Sequence, residues 1–340
     1  LEFRRVLFRS WRKNILHLAG GKTAWEQKLF IDSLAVQKDI AEGIYMGASV
    51  KTISKSSPDV QLFDITKDVN DGLLLIQFFG HSGSTTSEID IGDIKNPIIK
   101  YNNKGKYPMI IMNGCYAGLA YVGGSLGEDW LLAQDKGAVL FLAHSHLGIT
   151  NVLRDYTSIF YGIAFANSIF WGKSIGEIQK ETIDSFLSNK SISYVANAQE
   201  TNLQGDPAIK LFGAYKPDLY TNDDQLFIHS YDGEPVTAVS DSFAIGIMAS
   251  NFGKAIPDSF YITVERTFSD GSQTTYDAVL SPPVYYKDTV LFTIRSKDPN
   301  TYGNNMFKVF LDYTDTIDEI SEINNTGIIG FYMAVSGVIT

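Results

Sequence analysis

Short, near-continuous apolar runs bounded by polar or glycine-rich turns recur through the first two thirds of the chain. Leu73–Phe79, Met109–Met112 and Ala138–Ala143 are strand-length and lack alternation, the pattern of strands buried on both faces of a parallel sheet. Asn14–Ala19, closed by Gly20-Gly21, reads as another strand. Between and after these runs the apolar spacing predicts helices over Glu26–Ala41, Leu126–Gln134, Leu153–Asn167 and Ser174–Leu187. Ser174-Ile-Gly-Glu177 has the spacing of a capping box, in which the hydroxyl and the carboxylate each satisfy an orphan N–H. Strands alternating with helices predict an α/β region built on a parallel sheet covered on both faces. It runs from Trp11 to about Lys210, with Ile209–Phe212 as a last strand-like segment.

The pattern changes after Lys216-Pro-Asp218, which reads as a linker. Short alternating segments follow: Gln225–His229, Phe243–Ala249, Phe260–Glu265, Val290–Arg295 and Met306–Tyr313. Asn251-Phe-Gly253, Asp270-Gly271 and Asp298-Pro-Asn300 punctuate them. Such spacing without helical periods predicts an all-β sandwich of about seven strands. The chain therefore divides into a leader at 1–10 of no clear period, an α/β domain at 11–214 and a β domain at 217–340.

With 340 residues the chain is long enough for two cores. A net charge of -10 argues against nucleic acid, since phosphate binding needs a basic stripe. No apolar run reaches the length of a membrane span. The single cysteine, Cys115, excludes an internal disulfide and a cysteine-rich zinc site.

Cys115 stands where one buried run stops, and His81 stands at the end of the run before it. In open α/β sheets ligands bind beyond the carboxyl ends of the strands. Two strands ending in His and Cys deliver a base and a thiol to one rim. A free thiol has a pKa of roughly 8.5, so a thiolate nucleophile needs an adjacent imidazole and oriented N–H groups. Gly80, Gly83 and Gly114 flank the pair and allow the tight backbone of an oxyanion hole. The competing reading is a buried structural cysteine beside an unrelated loop histidine.

Gly80-His81, Asn113-Gly-Cys115-Tyr-Ala-Gly118, Lys136-Gly-Ala-Val139 and Asn202-Leu-Gln-Gly-Asp-Pro-Ala-Ile209 resemble segments of the gingipain family of caspase-like cysteine peptidases. Within it the likeness is greatest to the PorU-type sortases of the type IX secretion system, and it runs from about Trp11 to Phe212. The resemblance implies a caspase-like fold with Cys115 as nucleophile and His81 as base and then acid. It places the oxyanion hole at the N–H groups of Cys115, Ser82 and Gly83. It also implies protein or peptide substrates, other secretion-system components as partners, no required cofactor, and export to the bacterial surface or medium. The family has a further N-terminal half, expected ahead of Trp11. It usually has His-Gly where this chain has His81-Ser82, which brings a β-carbon to the place where backbone approaches substrate. An alternative therefore stays open: a catalytically inactive peptidase-like scaffold or a surface-binding protein of the secretion apparatus.

Asn113, Gly114, His144 and His146 are candidates for the substrate pocket, although surface-loop histidines are common and an i, i+2 pair is weak evidence for metal. Asp90 and Asp93 can stand behind His81 as its orienting carboxylate, or simply cap their loop. No metal site is expected. A structural calcium near Glu128, Asp129 and Asp135 has no specific motif behind it. Gly123-Gly124 is no phosphate loop, because no Lys-Ser/Thr follows. In the β domain, Asn251-Phe-Gly-Lys-Ala255 and Asp315–Asn325 resemble adhesion-type immunoglobulin-like modules of bacterial surface proteins. That likeness implies a spacer or docking role, with the acidic stretch Asp315–Glu322 read as a solvated turn or a weak cation site.

Overall fold

The computed structural model describes residues 10–169, 171–188, 191–211, 216–295 and 301–335. The leader at 1–9, Phe212 and Asp298-Pro-Asn300 lie outside the described residues. The chain divides into two compact units, 1–214 and 215–340.

Among the described residues eight strands belong to the first unit: β1 (Asn14–Ala19), β2 (Ser49–Ser54), β3 (Gln61–Leu62), β4 (Leu75–Phe79), β5 (Ile89–Asp90), β6 (Met109–Asn113), β7 (Leu140–His144) and β8 (Thr201–Gly205). The main sheet has the order β2-β1-β4-β6-β7-β8. Its first five strands are parallel. β8 runs antiparallel to β7, so the sheet is mixed rather than wholly parallel, and the expected strand at Ile209–Phe212 is absent over its described residues Ile209–Leu211. β3 and β5 form a separate parallel pair.

Alternate residues of the buried strands point to opposite faces. Ile15, Leu75, Ile111 and Leu142 pack with the helices Thr150–Ala166 and Ile175–Phe186. Leu16, Ile76, Ile110 and Phe141 pack with Val69, Ile94, Tyr101 and Trp130 on the other side. Each fully buried side chain of this kind contributes about 1.5–3 kcal/mol, which explains why these strands read as continuous apolar runs. Near the rim, Ala19, Phe30, Leu34, Phe79 and Leu153 form a smaller cluster. It seats the start of the helix Ala24–Glu42 against the ends of β1 and β4.

The second unit contains β9 (Leu219–Tyr220), β10 (Leu226–His229), β11 (Ser242–Asn251), β12 (Phe260–Thr267), β13 (Gln273–Thr275), β14 (Val279–Ser281), β15 (Lys287–Arg295), β16 (Gly303–Phe310) and β17 (Thr326–Met333). One antiparallel sheet is β10-β11-β15 with β9 on β11; the other is β13-β12-β16-β17 with β14 on β12. The described strands number nine rather than about seven, because β12 takes the short partners β13 and β14 at different points along its length. Phe243, Ile245, Ile262, Val264 and Phe307 share one core. Asn251, singled out in sequence, is a buried hub: its Oδ1 accepts from Asp218 and Gly253 N–H, and its Nδ2 donates to the carbonyls of Lys254 and Val284. No helix among the described residues is long and apolar enough to cross a membrane.

Glu319 is buried in this unit, and its carboxylate accepts the Leu219 N–H. Burial, reinforced by Glu322 and Asp312, pushes its pKa from 4.5 up to about 8. Because the folded value lies above the unfolded one, the stabilisation is full below pH 4.5 and is lost as pH rises through about 8. Thermal denaturation followed across that window is expected to show a falling midpoint for wild type and a flatter profile for Glu319→Gln. Identical slopes would assign the titration to another group.

Candidate active site

β4 and β6 are parallel neighbours with Phe79 opposite Asn113. His81 and Cys115 thus each lie two residues past the paired ends of adjacent strands, at one rim of the sheet. The Gly80 N–H donates to the Asn113 carbonyl at 3.0 Å. Beyond it, the Ser82 hydroxyl donates to the Cys115 carbonyl at 2.9 Å. A β-carbon on Gly114 would stand 2.1 Å from that hydroxyl oxygen, so only glycine admits this crossing. Ser82 therefore turns its hydroxyl toward the cysteine loop and ties the two loops together.

The carboxylate behind His81 is neither Asp90 nor Asp93. Those two close local turns, accepting from Gly92 N–H at 2.7 Å and Lys95 N–H at 2.8 Å. Glu26 takes the role, with its Oε1 3.2 Å from His81 Nε2. It is the third residue of the helix Ala24–Glu42 and the acidic half of a capping box with Thr23. Its Oε2 accepts the N–H groups of Lys22 at 2.8 Å and Thr23 at 3.2 Å. Partial burial pushes the Glu26 pKa up, but the hydrogen bonds from Lys22, His81 and Thr23 outweigh it and hold the group below 4.5. A carboxylate only accepts. His81 Nε2 therefore carries the hydrogen, which leaves Nδ1 as the basic nitrogen. Phe30 meets the imidazole edge to face at 6.1 Å.

Cys115 is half-buried, and its Sγ accepts the Gly148 N–H at 3.4 Å. The following residue, Tyr116, has φ +59° and donates its N–H to His146 O at 2.9 Å, while Gly118 N–H donates to His144 O at 2.9 Å. The loop after β7 thus frames the thiol. Among the described residues Sγ and the His81 ring share no hydrogen bond; such pairs commonly tighten only around substrate. Of the three oxyanion donors expected from sequence, one is engaged elsewhere. Gly83 N–H is committed to the Thr86 carbonyl at 2.8 Å, because Ser82 and Ser87 pair across a tight bridge. The N–H groups of Cys115 and Ser82 donate to no group among the described residues.

The pocket candidates separate. Gly114 lies between the two loops as described. Asn113 is buried, and its amide is bound to the Thr157 hydroxyl at 2.6 Å. His144 is also buried, its Nδ1 3.0 Å from His146 O and its Nε2 close to, but not aligned for bonding with, Glu200. Both face inward and do not line open space. His146 is exposed and stacks edge to face on Tyr116 at 5.5 Å, beside the thiol loop. A cleft of about 890 Å3 opens from His81 and Ser82 along Leu62, Ile91, Leu126 and Trp130.

Of the carboxylates weighed as a calcium position, Asp129 pairs with Lys95, Asp135 with Lys104, and Glu128 accepts the Gly124 N–H. Among the described residues no group of three His, Cys, Asp or Glu side chains is placed to hold a metal ion. Two carboxylates that touch His81 were not anticipated from sequence: Glu26, and Glu88, whose Oε1 accepts the His81 N–H at 2.7 Å.

Residues 4–212 match the model of peptidase family C25. No curated protein matches the chain in sequence. Among solved structures, the fold is similar to that of the Arg-specific cysteine proteinase gingipain R (RgpB). Identity is 13% and the TM-score 0.51, over 95% of this chain and 68% of that one. A complex of Porphyromonas gingivalis RgpB pro- and mature domains gives 14% identity and a TM-score of 0.48, over 98% and 73%. Dimeric latent PorU from Porphyromonas gingivalis gives 13% identity and a TM-score of 0.19, over 59% and 20%.

Proposed function

Because the chain belongs to peptidase family C25, the gingipain family, we propose that Cys115 and His81 act as nucleophile and base in acyl transfer from protein or peptide substrates. The observation that carries this reading is the register of β4 and β6, which sets the two residues at equivalent places beyond paired strand ends. His81 Nδ1 takes the thiol proton, and the sulfur attacks the scissile carbonyl. The oxyanion forms against the N–H groups of Cys115 and Ser82. Collapse breaks the C–N bond, the imidazolium gives its proton to the leaving amine, and a thioester remains. Water resolves it by hydrolysis, or an amine resolves it by sortase-like transpeptidation. The cleft beside His81 combines the apolar side chains of Leu62, Ile91, Leu126 and Trp130 with the carboxylates of Asp90, Asp93 and Asp129, so it can take substrate side chains with both an apolar stem and a polar or basic end.

In this reading the protein is exported, works at the bacterial surface in connection with type IX secretion, and uses its second unit as an immunoglobulin-like spacer or docking module. A second reading, a catalytically inactive peptidase-like scaffold or surface-binding protein, draws support from one feature. The thiol is bonded to Gly148 N–H and the imidazole to Glu26, not to each other.

Thiol reactivity separates the two. A Cys115 activated by His81 is expected to alkylate quickly near pH 6 to 7 and at least tenfold more slowly after His81→Ala, like a thiol without a base beside it. Equal, slow labelling of both proteins would favour the scaffold.

A further inference from the structure

His81 is held at two points. Glu26 meets its ring, while its main chain is fastened elsewhere. The His81 N–H donates to Glu88 Oε1 at 2.7 Å, and the Glu88 N–H returns a bond to the His81 carbonyl at 3.0 Å. The same Oε1 accepts the Gly21 N–H at 2.7 Å. The other oxygen, Oε2, lies 2.9 Å from Lys55 Nζ, and the two side chains are 4% and 0% exposed. Lys55 N–H itself donates to the Ala19 carbonyl at 2.9 Å.

These partners follow the ends of three neighbouring strands: Lys55 comes after β2, Gly21 after β1 and His81 after β4. The carboxylate is fitted into that rim. A β-carbon on Gly20 would stand 2.0 Å from Glu88 Oε1, and one on Gly80 2.4 Å, so the strand-end glycines leave the space it fills. The turn at Gly21, Lys22 and Thr23 spends its first N–H on Glu88 and its next two on Glu26. Both carboxylates that touch His81 therefore hang from one three-residue turn, and loss of Glu88 would free the imidazole's main chain and the anchor of its ring partner together.

The geometry points to Glu88 as a positioning residue for His81, with the buried Lys55 as the countercharge that makes a carboxylate tolerable there. Its effect on reactivity rests on the Cys115–His81 reading above; its effect on the place of His81 does not. Glu88 does not touch the thiol and acts only through His81. Removing one partner of a buried pair leaves an uncompensated charge, whereas replacing both is often neutral for stability, so the informative variants are double. Lys55→Met/Glu88→Gln keeps an oxygen for the Gly21 and His81 N–H groups. Lys55→Met/Glu88→Leu keeps the bulk and removes the acceptor.

The readouts, on the full chain, are the rate of Cys115 alkylation by iodoacetamide at neutral pH and the NMR signal of the His81 Nε2 hydrogen bonded to Glu26. The glutamine variant is expected to hold the signal and stay within about threefold of the wild-type rate. The leucine variant is expected to lose the signal and slow alkylation by about tenfold to a hundredfold, as small misplacements of a catalytic group do. A folded leucine variant with the wild-type signal would overturn the assignment, as would loss of the signal in the glutamine variant. If His81→Ala leaves the alkylation rate of the otherwise wild-type protein unchanged, the dyad reading fails, and the His81 signal alone decides the role of Glu88.

Discussion

Replacing Cys115 by alanine is expected to abolish peptide turnover while leaving the protein folded. The thiol is half-buried and its Sγ accepts the Gly148 N–H at 3.4 Å, so the stability lost is about 1 kcal/mol or less. The chemical loss is far larger. Without sulfur no thioester can form, and removal of a nucleophile that works as a unit with its base costs about 10⁴-fold or more. His81→Ala is expected to match it, because members of such a unit are not additive. A peptide library screened with wild type and both variants side by side, with circular dichroism to confirm folding, tests this. Turnover by the Cys115→Ala protein at the wild-type rate would place the nucleophile elsewhere, whereas no turnover even by the wild type would leave the scaffold reading in possession.

How much of this was legible in the chain depended on whether a residue's role is local. β4, β6 and β7 read directly as apolar runs because both faces are covered, and their ends therefore marked the rim. β2 carries no apolar run: only Val50 among its six residues is fully buried, since it is an edge strand with one neighbour. β8 is polar and only half-buried; its pairing with β7 makes it a strand, and no local pattern announces that. Thr23-Ala-Trp-Glu26 has the spacing of Ser174-Ile-Gly-Glu177, so the cap at the first helix was readable. That its spare oxygen reaches an imidazole 55 positions away was not. Asp90 and Asp93 were attractive by proximity in sequence, yet acidic residues two positions before a free N–H close their own turns first. Glu88 carries no signal at all, because its three partners meet only once the sheet has formed.

Ser82 shows the same limit in another form. As a letter it departs from His-Gly; as a side chain it replaces backbone freedom with a bond to the Cys115 carbonyl. The glycine that matters at this crossing is Gly114, which leaves room for that hydroxyl.

Substitution of Glu26 by glutamine is expected to cost more activity at neutral pH than substitution by alanine. The carboxylate forces the hydrogen onto His81 Nε2 and leaves Nδ1 basic. A glutamine amide can present its N–H₂ to Nε2 instead, which moves the hydrogen to Nδ1 and removes the base; a wrong tautomer of this kind costs about 10⁴-fold in the serine-protease triad. Alanine only releases the ring, for which a loss of about 10²-fold or more is expected. Stability should follow the opposite order, since glutamine can still accept from Lys22 and Thr23 while alanine loses the capping box, worth about 1 kcal/mol. The pH dependence has a definite sign. The folded Glu26 pKa lies below its ordinary 4.5, so its contribution is full above pH 4.5 and is lost as pH falls through the folded value. The melting difference between wild type and Glu26→Ala should therefore shrink only in acid. Comparison of kcat for the two variants at pH 7 settles the order: a glutamine variant as active as wild type would mean that Glu26 neither sets the tautomer nor holds the base.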